Sequence, residues 1–406
     1  MSPRSIAENT LFYKDNLIIS REHISSESSP RKLSESEYAF LDRSTLPEHE
    51  QARNLLEQWF HDYTSDCEKQ DYRTDCRKSF CAAFQARRDR QHQAAFFELY
   101  CYTLLRRHHF TIEIEPHVET SSHRPDFFAR LAGIPVCFLE ATLAVESDPD
   151  AGKEVNLRQI REMIHALPSP NFWIGFHVHE APLNSPSIAT MRSKLQKWLQ
   201  THSQLELRLN VDGWDITFSL LPKSRATLES GTSSSYEPQW VDPRSAVLKP
   251  LKDKAKNYKD GLGYPYVIAL NALAMKAMCA DMEEVFFGKE LVELDRQTGQ
   301  VRLIRAPFAQ GRSKDEDGLW FGRSGVRNRQ VSAVLLVDAL WPLAIARRTP
   351  ILWHNPWAQH PLRPDIWQGP QNLFDLKTAC RQDLTGKQGW ELLQLHPNWP
   401  NDYSLT

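Results

Sequence analysis

The 406 residues, 41% hydrophobic and 25% charged, describe a folded chain of one large or two ordinary domains and exclude disordered and fibrous classes. A formal net charge of −2 leaves no global basic footprint, which excludes a protein that coats nucleic acid nonspecifically and leaves room only for local basic clusters. The longest apolar stretch, Val334 to Ala346, is broken by Asp338 and Pro342 and falls short of the ~20 residues a membrane span needs.

The first ten residues hold no continuous apolar segment, so the expected location is the cytoplasm, with no membrane partner. Residues 1 to 45 are rich in Ser, Glu and Arg without a sustained period and are expected to form a flexible N-terminal arm. From 46 to 90, apolar residues recur at helical spacing (Leu55, Trp59 and Phe60, then Phe80, Ala83 and Phe84), which predicts an N-terminal helical region. A strongly apolar helix over His92 to Arg107 follows, then three strands, Thr111 to Glu115, Pro125 to Leu131 and Pro135 to Leu143.

Helices and strands then alternate: helix Val155 to Ala166, strand Phe172 to Val178, helix Ser187 to His202, strand Trp214 to Leu221, basic helix Ser245 to Lys259, strand Tyr264 to Asn271. This order predicts an α/β core over 91–290, a mixed central sheet flanked by helices, with an insertion around 180–244. The rest, 291–406, is read as a β-rich and Trp/Pro-rich region packed on that core. It includes a hairpin at Leu291 to Ile304 turning at Gln297-Thr298-Gly299, a strand at Gln330 to Val337, and an extended wrap beyond Leu340. Seven cysteines, with no Cys-x-x-Cys pair, read as reduced thiols rather than a zinc site.

Three carboxylates carry the chemistry. In an antiparallel hairpin opposed residues have a constant index sum, so Asp126 and Glu140 oppose one another if an odd loop is centred on Gly133. An even loop would put them on opposite faces. Two carboxylates that close repel unless a cation lies between them, and hard oxygen ligands suit magnesium or manganese. Glu98 is the only ionised residue in the helix stretch Ala94 to Leu105 and could be aimed at the same ion. Taken singly, Glu98 is better explained by a pair with Arg106 or Arg107, and Asp126 by a strand cap; the three together, in the order helix, strand, strand, favour the metal site.

Glu98, then Arg124-Pro125-Asp126-Phe127, then Phe138-Leu139-Glu140-Ala141-Thr142 resembles the PD-(D/E)XK superfamily of restriction-type nucleases and recombination enzymes. The likeness covers about residues 94 to 142. It implies a restriction-endonuclease-like core, an endonuclease or exonuclease activity on phosphodiester bonds, DNA in preference to RNA, and magnesium or manganese held by Glu98, Asp126 and Glu140. A homodimer, or a complex with other defence or repair proteins, is compatible with it. The departure is Thr142, which stands where the motif lysine would be and carries no charge. Relatives are known in which a motif residue has moved to a neighbouring helix, and Lys252 and Lys256, at i and i+4, are the expected substitutes. The alternative is a catalytically inactive nuclease-fold protein that binds nucleic acid or assembles with partners.

Other signals are weaker. His177 and His179 share a strand face, Glu162 and His165 have di-iron spacing without a second such motif, and Arg323, Arg327 and Arg329 lie in a Gly-rich stretch. No nucleophile elbow, Walker loop, His-Glu-x-x-His or Gly-x-Gly-x-x-Gly is present.

Overall fold

A computed structural model describes residues 18–19, 31, 35–70, 76–119, 121–145, 151–169, 171–182, 184–201, 205–222, 243–259, 261–273, 281–288, 291–294, 301–304, 317–322, 324–376 and 380–400. Most of the expected arm, the loop at 223–242, the turn at Gln297-Thr298-Gly299 and Arg323 lie outside the described residues.

The chain divides into two compact units, one chiefly Glu37–Glu146 with Val241–Thr406, the other chiefly Ser147–Trp240. In the first unit, helices α1 (Glu37–Arg43), α2 (Pro47–Glu68), α3 (Cys76–Phe84) and α4 (Asp89–Arg107) precede strands β1 (Thr111–Ile114), β2 (Phe127–Leu131) and β3 (Ile134–Ala144). The expected arm therefore contains a packed helix. The buried guanidinium of Arg53 donates to the carbonyls of Leu41 and Ser44 that end α1, and Ile18 and Ile19 are fully buried. Helix α4 is buried nearly all round from His92 to Leu105, as its apolar run requires.

The second unit holds α5 (Ala151–His165), β4 (Phe172–Glu180), α6 (Ile188–Thr201), β5 (Glu206–Val211) and β6 (Trp214–Pro222). Its strands form a separate antiparallel sheet, β4-β6-β5, with a core of its own that includes Ile160, Met163, Leu195, Trp198, Trp214 and Phe218. This corrects the expected insertion at 180–244. The break comes at about 147, because the apolar faces of α5 and β4 are used up within this small unit and are not available to the larger sheet.

The chain returns to the first unit with α7 (Pro243–Lys256), β7 (Tyr266–Ala272), α8 (Met282–Phe287), the hairpins β8 (Leu291–Leu294) with β9 (Val301–Ile304) and β10 (Phe321–Gly322) with β11 (Gly325–Val326), then β12 (Ala333–Asp338), β13 (Ile351–His354), β14 (Gln371–Asp375), β15 (Cys380–Leu384) and the short α9 (Gly389–Leu392). The main sheet is eight-stranded and mixed, in the order β1-β2-β3-β7-β12-β13-β14-β15. It is antiparallel at β1-β2-β3 and parallel where β7 meets β3 and β12. Every residue of β7 is buried, which is why Tyr266 to Ala272 reads as continuous apolar sequence.

The C-terminal region is thus half of the central sheet rather than a wrap laid over it. Its strands β12 to β15 are short, and Pro-rich segments separate β12 from β13 and β13 from β14, which hides their pattern in the sequence. Helices α1 to α4 pack on one face through Phe127, Leu139, Leu143 and Val267, and α7 and α8 on the other through Phe138, Tyr266, Ile268 and Leu270. Among the described residues no helix is long and apolar enough to cross a membrane. Cys67 is disulfide-bonded, which corrects the expectation of reduced thiols throughout, whereas Cys81, Cys101 and Cys137 are free.

Candidate active site

The site begins with the β2-β3 hairpin. Its turn is the two-residue Ala132-Gly133, both left-handed with φ of 49° and 80°, the primed geometry that suits a tight hairpin. Such an even turn would set Asp126 and Glu140 on opposite faces, contrary to the odd loop expected from the sequence. The register is rescued one step later. Arg130 faces Pro135 and Ala129 faces Cys137, so Val136 is an extra, bulged residue, and from there the pairing runs Phe128 to Phe138 and Phe127 to Leu139. Asp126 follows that last rung and Glu140 is its counterpart on β3.

Beyond this rung β2 leaves β3, while β3 stays paired with β7 as far as Ala144. The carboxylate of Asp126 takes over the vacated rung, accepting the Ala141 N–H at 2.6 Å. The Glu115 N–H, at the left-handed residue that ends β1, donates to the Asp126 carbonyl at 2.7 Å. Asp126 is thereby fixed from both sides at the point where the sheet splits.

Glu140 is 4% exposed and points to the face covered by α7. A charge this buried needs donors, and it has three. Lys254 Nζ donates to Oε1 at 2.7 Å, Tyr266 OH donates to Oε2 at 2.5 Å, and Asn257 Nδ2 reaches Oε1 at 3.5 Å. Tyr258 completes the wall, its ring edge-on to Tyr266 at 5.1 Å.

Burial pushes the Asp126 carboxyl up to about 7, with the charges of Glu140 and Glu115 adding to the effect. Lys254 and the Ala141 N–H oppose that rise without cancelling it. Asp126 thus stays hard to ionise even with the lysine in place, chiefly because it is buried. Burial, with the nearby Glu140 charge, likewise holds the Tyr258 and Tyr266 phenols above their ordinary range.

The lysine assignment needs correction. Neither Lys252 nor Lys256 is brought to Glu140. Lys256 pairs with Asp253 at 2.9 Å on the exposed side of α7. Lys252 lies among Arg327, Arg244 and Asp317, where burial and the neighbouring guanidinium charges lower its pKa. The cation is Lys254, and the reason is the helix phase: Val247, Leu251 and Tyr258 are buried, so a spacing of four, three and four places residue 254 on the inward stripe. That stripe was the signal in the sequence.

Glu98 is half-buried on α4, where the Tyr63 hydroxyl donates to its Oε1 at 3.0 Å. Burial raises the Cys101 thiol well above its usual range, and the charges of Asp126 and Glu98 both add to that shift, so Glu98 belongs to the surroundings of Asp126. Thr142 is half-buried, beside Leu270 of β7 and on the same strand face as Glu140. Among the described residues no group of three or more His, Cys, Asp or Glu is placed to hold a metal ion. Asp126 and Glu140 form a close pair, Glu98 is held by Tyr63, and Glu115 is an acidic neighbour of Asp126 that the sequence reading missed.

No family model, curated protein or solved structure matches this chain.

The remaining candidates lie elsewhere. The His177 and His179 rings are 4.5 Å apart in the second unit, and His179 Nε2 meets Thr217 Oγ1 at 2.9 Å. Arg327 pairs with the buried Asp317, and Arg329 donates to the Trp357 carbonyl, so both basic side chains have protein partners.

Proposed function

We propose that this chain is a divalent-metal-dependent phosphodiester hydrolase acting on nucleic acid, DNA in preference to RNA, with a restriction-endonuclease-like core. The observation that carries the reading is the Lys254–Glu140 contact beside Asp126, which supplies from a helix the charge that Thr142 lacks.

A magnesium or manganese ion fits the residues present. Magnesium usually keeps several waters and takes only one or two protein carboxylates, so a pair suffices. Burial, the main cause of the raised Asp126 carboxyl, penalises its ionised form, and a divalent cation bound there would offset that penalty. Asp126 and Glu140 would hold the ion, which when bound would supply Lewis acidity and favour ionisation of water. Glu98, held by Tyr63, would act through water. The Lys254 ammonium would donate to a phosphoryl oxygen and steady the charge that builds there as water adds to phosphorus and the ester oxygen departs. The Thr142 hydroxyl, on the same strand face, would hold a water in place.

One observation favours a second reading, a nuclease-fold protein that binds nucleic acid without cutting it: both oxygens of Glu140 already accept from protein donors. It predicts salt-sensitive binding with no metal-dependent turnover. The deciding assay incubates supercoiled DNA, linear DNA and RNA with magnesium, manganese or chelator. Cleavage by the wild type that is lost in Asp126→Ala and Glu140→Ala supports the hydrolase. Equal cleavage by those variants overturns it.

A further inference from the structure

The Tyr258 hydroxyl is buried and has no hydrogen-bond partner among the described residues, and the residue is 2% exposed. Leaving such a group unsatisfied is costly, so an unpaired buried hydroxyl calls for an explanation such as a water or an ion. Its surroundings say which. The charges of Glu140 and Asp126 both reach it, and it follows Lys254 and Asn257 on the segment whose side chains already turn to Glu140. Tyr266, against which its ring packs, spends its own hydroxyl on Glu140 Oε2.

An oxygen that accepts from Tyr258 while lying against two carboxylates has to be neutral, because an anion there is repelled by both. Water meets the requirement. It accepts from the phenol through one lone pair and directs its two protons at carboxylate oxygens, which leaves the second lone pair free.

We propose that Tyr258 is a positioning residue that holds a water against the Asp126–Glu140 pair. Under the hydrolase reading, on which this inference rests, that water is the one presented to phosphorus. In the reaction its oxygen forms the new P–O bond and one of its protons passes to a carboxylate, while the P–O bond to the ester oxygen breaks, the electron pair leaves with that oxygen, and solvent water protonates it.

The test uses the full chain, wild type and Tyr258→Phe, in three measurements. A crystal structure of the wild type is expected to show a water at about 2.7–3.2 Å from the Tyr258 hydroxyl and within bonding reach of Asp126 or Glu140, displaced in Tyr258→Phe. The melting temperature of the variant is expected to stay level or fall slightly, since the bond to the water is lost while the ring packing on Tyr266 is kept; a clear rise would mean that the hydroxyl had no partner and would overturn the inference. Its kcat on an oligonucleotide is expected to fall roughly 10- to 100-fold with KM unchanged. No water at the phenol, or a variant with wild-type kcat, overturns the inference while leaving the hydrolase reading intact. A water in place with no turnover by the wild type overturns the hydrolase reading and the water's role in it, and leaves only the binding site.

Discussion

The ammonium of Lys254 lies 2.7 Å from Oε1 of Glu140, a contact between residues 114 apart in sequence. Glu140 sits on a strand that continues past the end of its hairpin, and Lys254 on the inward stripe of the helix that re-enters the unit after the inserted one. The pair is 27% and 5% exposed, so neither charge is freely solvated.

Replacing Lys254 should therefore cost both stability and turnover. Lys254→Ala leaves Glu140 buried without its cation, and breaking one side of such a pair costs about 3 kcal/mol. Urea unfolding and a cleavage assay are expected to show both losses in Lys254→Ala and neither in Lys252→Ala or Lys256→Ala. Wild-type cleavage by Lys254→Ala would remove the lysine from the proposed chemistry.

The pH dependence follows from Asp126, whose folded pKa of about 7 lies above its ordinary 3.8. The folded state binds the extra proton between those values, so the stabilisation from this group is full below about pH 4 and is lost as pH rises through about 7. Ion binding runs the other way, since it needs the carboxylate ionised. Titration of manganese by calorimetry is expected to show affinity rising from about pH 5.5 to about pH 7.5. Asp126→Asn should flatten the stability slope, and an unchanged slope would put the titrating group elsewhere.

Tyr266 donates to Glu140 from within the core. Tyr266→Phe removes a hydrogen bond to a charged group, worth about 1.5–3 kcal/mol. Chemical denaturation is expected to show that loss, and the metal-free protein should lose more than the metal-loaded one. Equal losses would mean that no ion compensates Glu140.

The hairpin turn offers a test far from the chemistry. Ala132 adopts a left-handed φ of 49°, which costs an ordinary L-residue roughly 1–2 kcal/mol and asparagine less. Ala132→Asn gives the Asn-Gly pair favoured in this turn and is expected to raise stability by about 0.5–1 kcal/mol with no change in cleavage. A drop in stability would contradict the two-residue turn.

The sequence by itself determined the elements. The apolar run of α4, the alternation along β2 and β3, and the unbroken apolar strand β7 follow from local pattern. For Asp126 and Glu140, Pro125, Gly133 and the strand between them confine the register to a few choices without deciding among them. The route to that register was hidden: a bulge at Val136 is one extra residue with no compositional mark, and it reverses what the two-residue turn would do.

Long-range placement was decided by the tertiary structure alone. The apolar stripe of Val247, Leu251 and Tyr258 marks Lys254 as the inward lysine, but that this stripe meets Glu140 depends on how α7 packs against β3. Whether β4 joins the main sheet or a separate one depends on which apolar faces are already covered. The short strands β12 to β15 acquire their place only by pairing onto β7. Hydrophobic periodicity is set within a few residues of the chain. The partner of a buried charge is set by where two remote faces meet, and packing, rather than local pattern, brought Lys254 to Glu140.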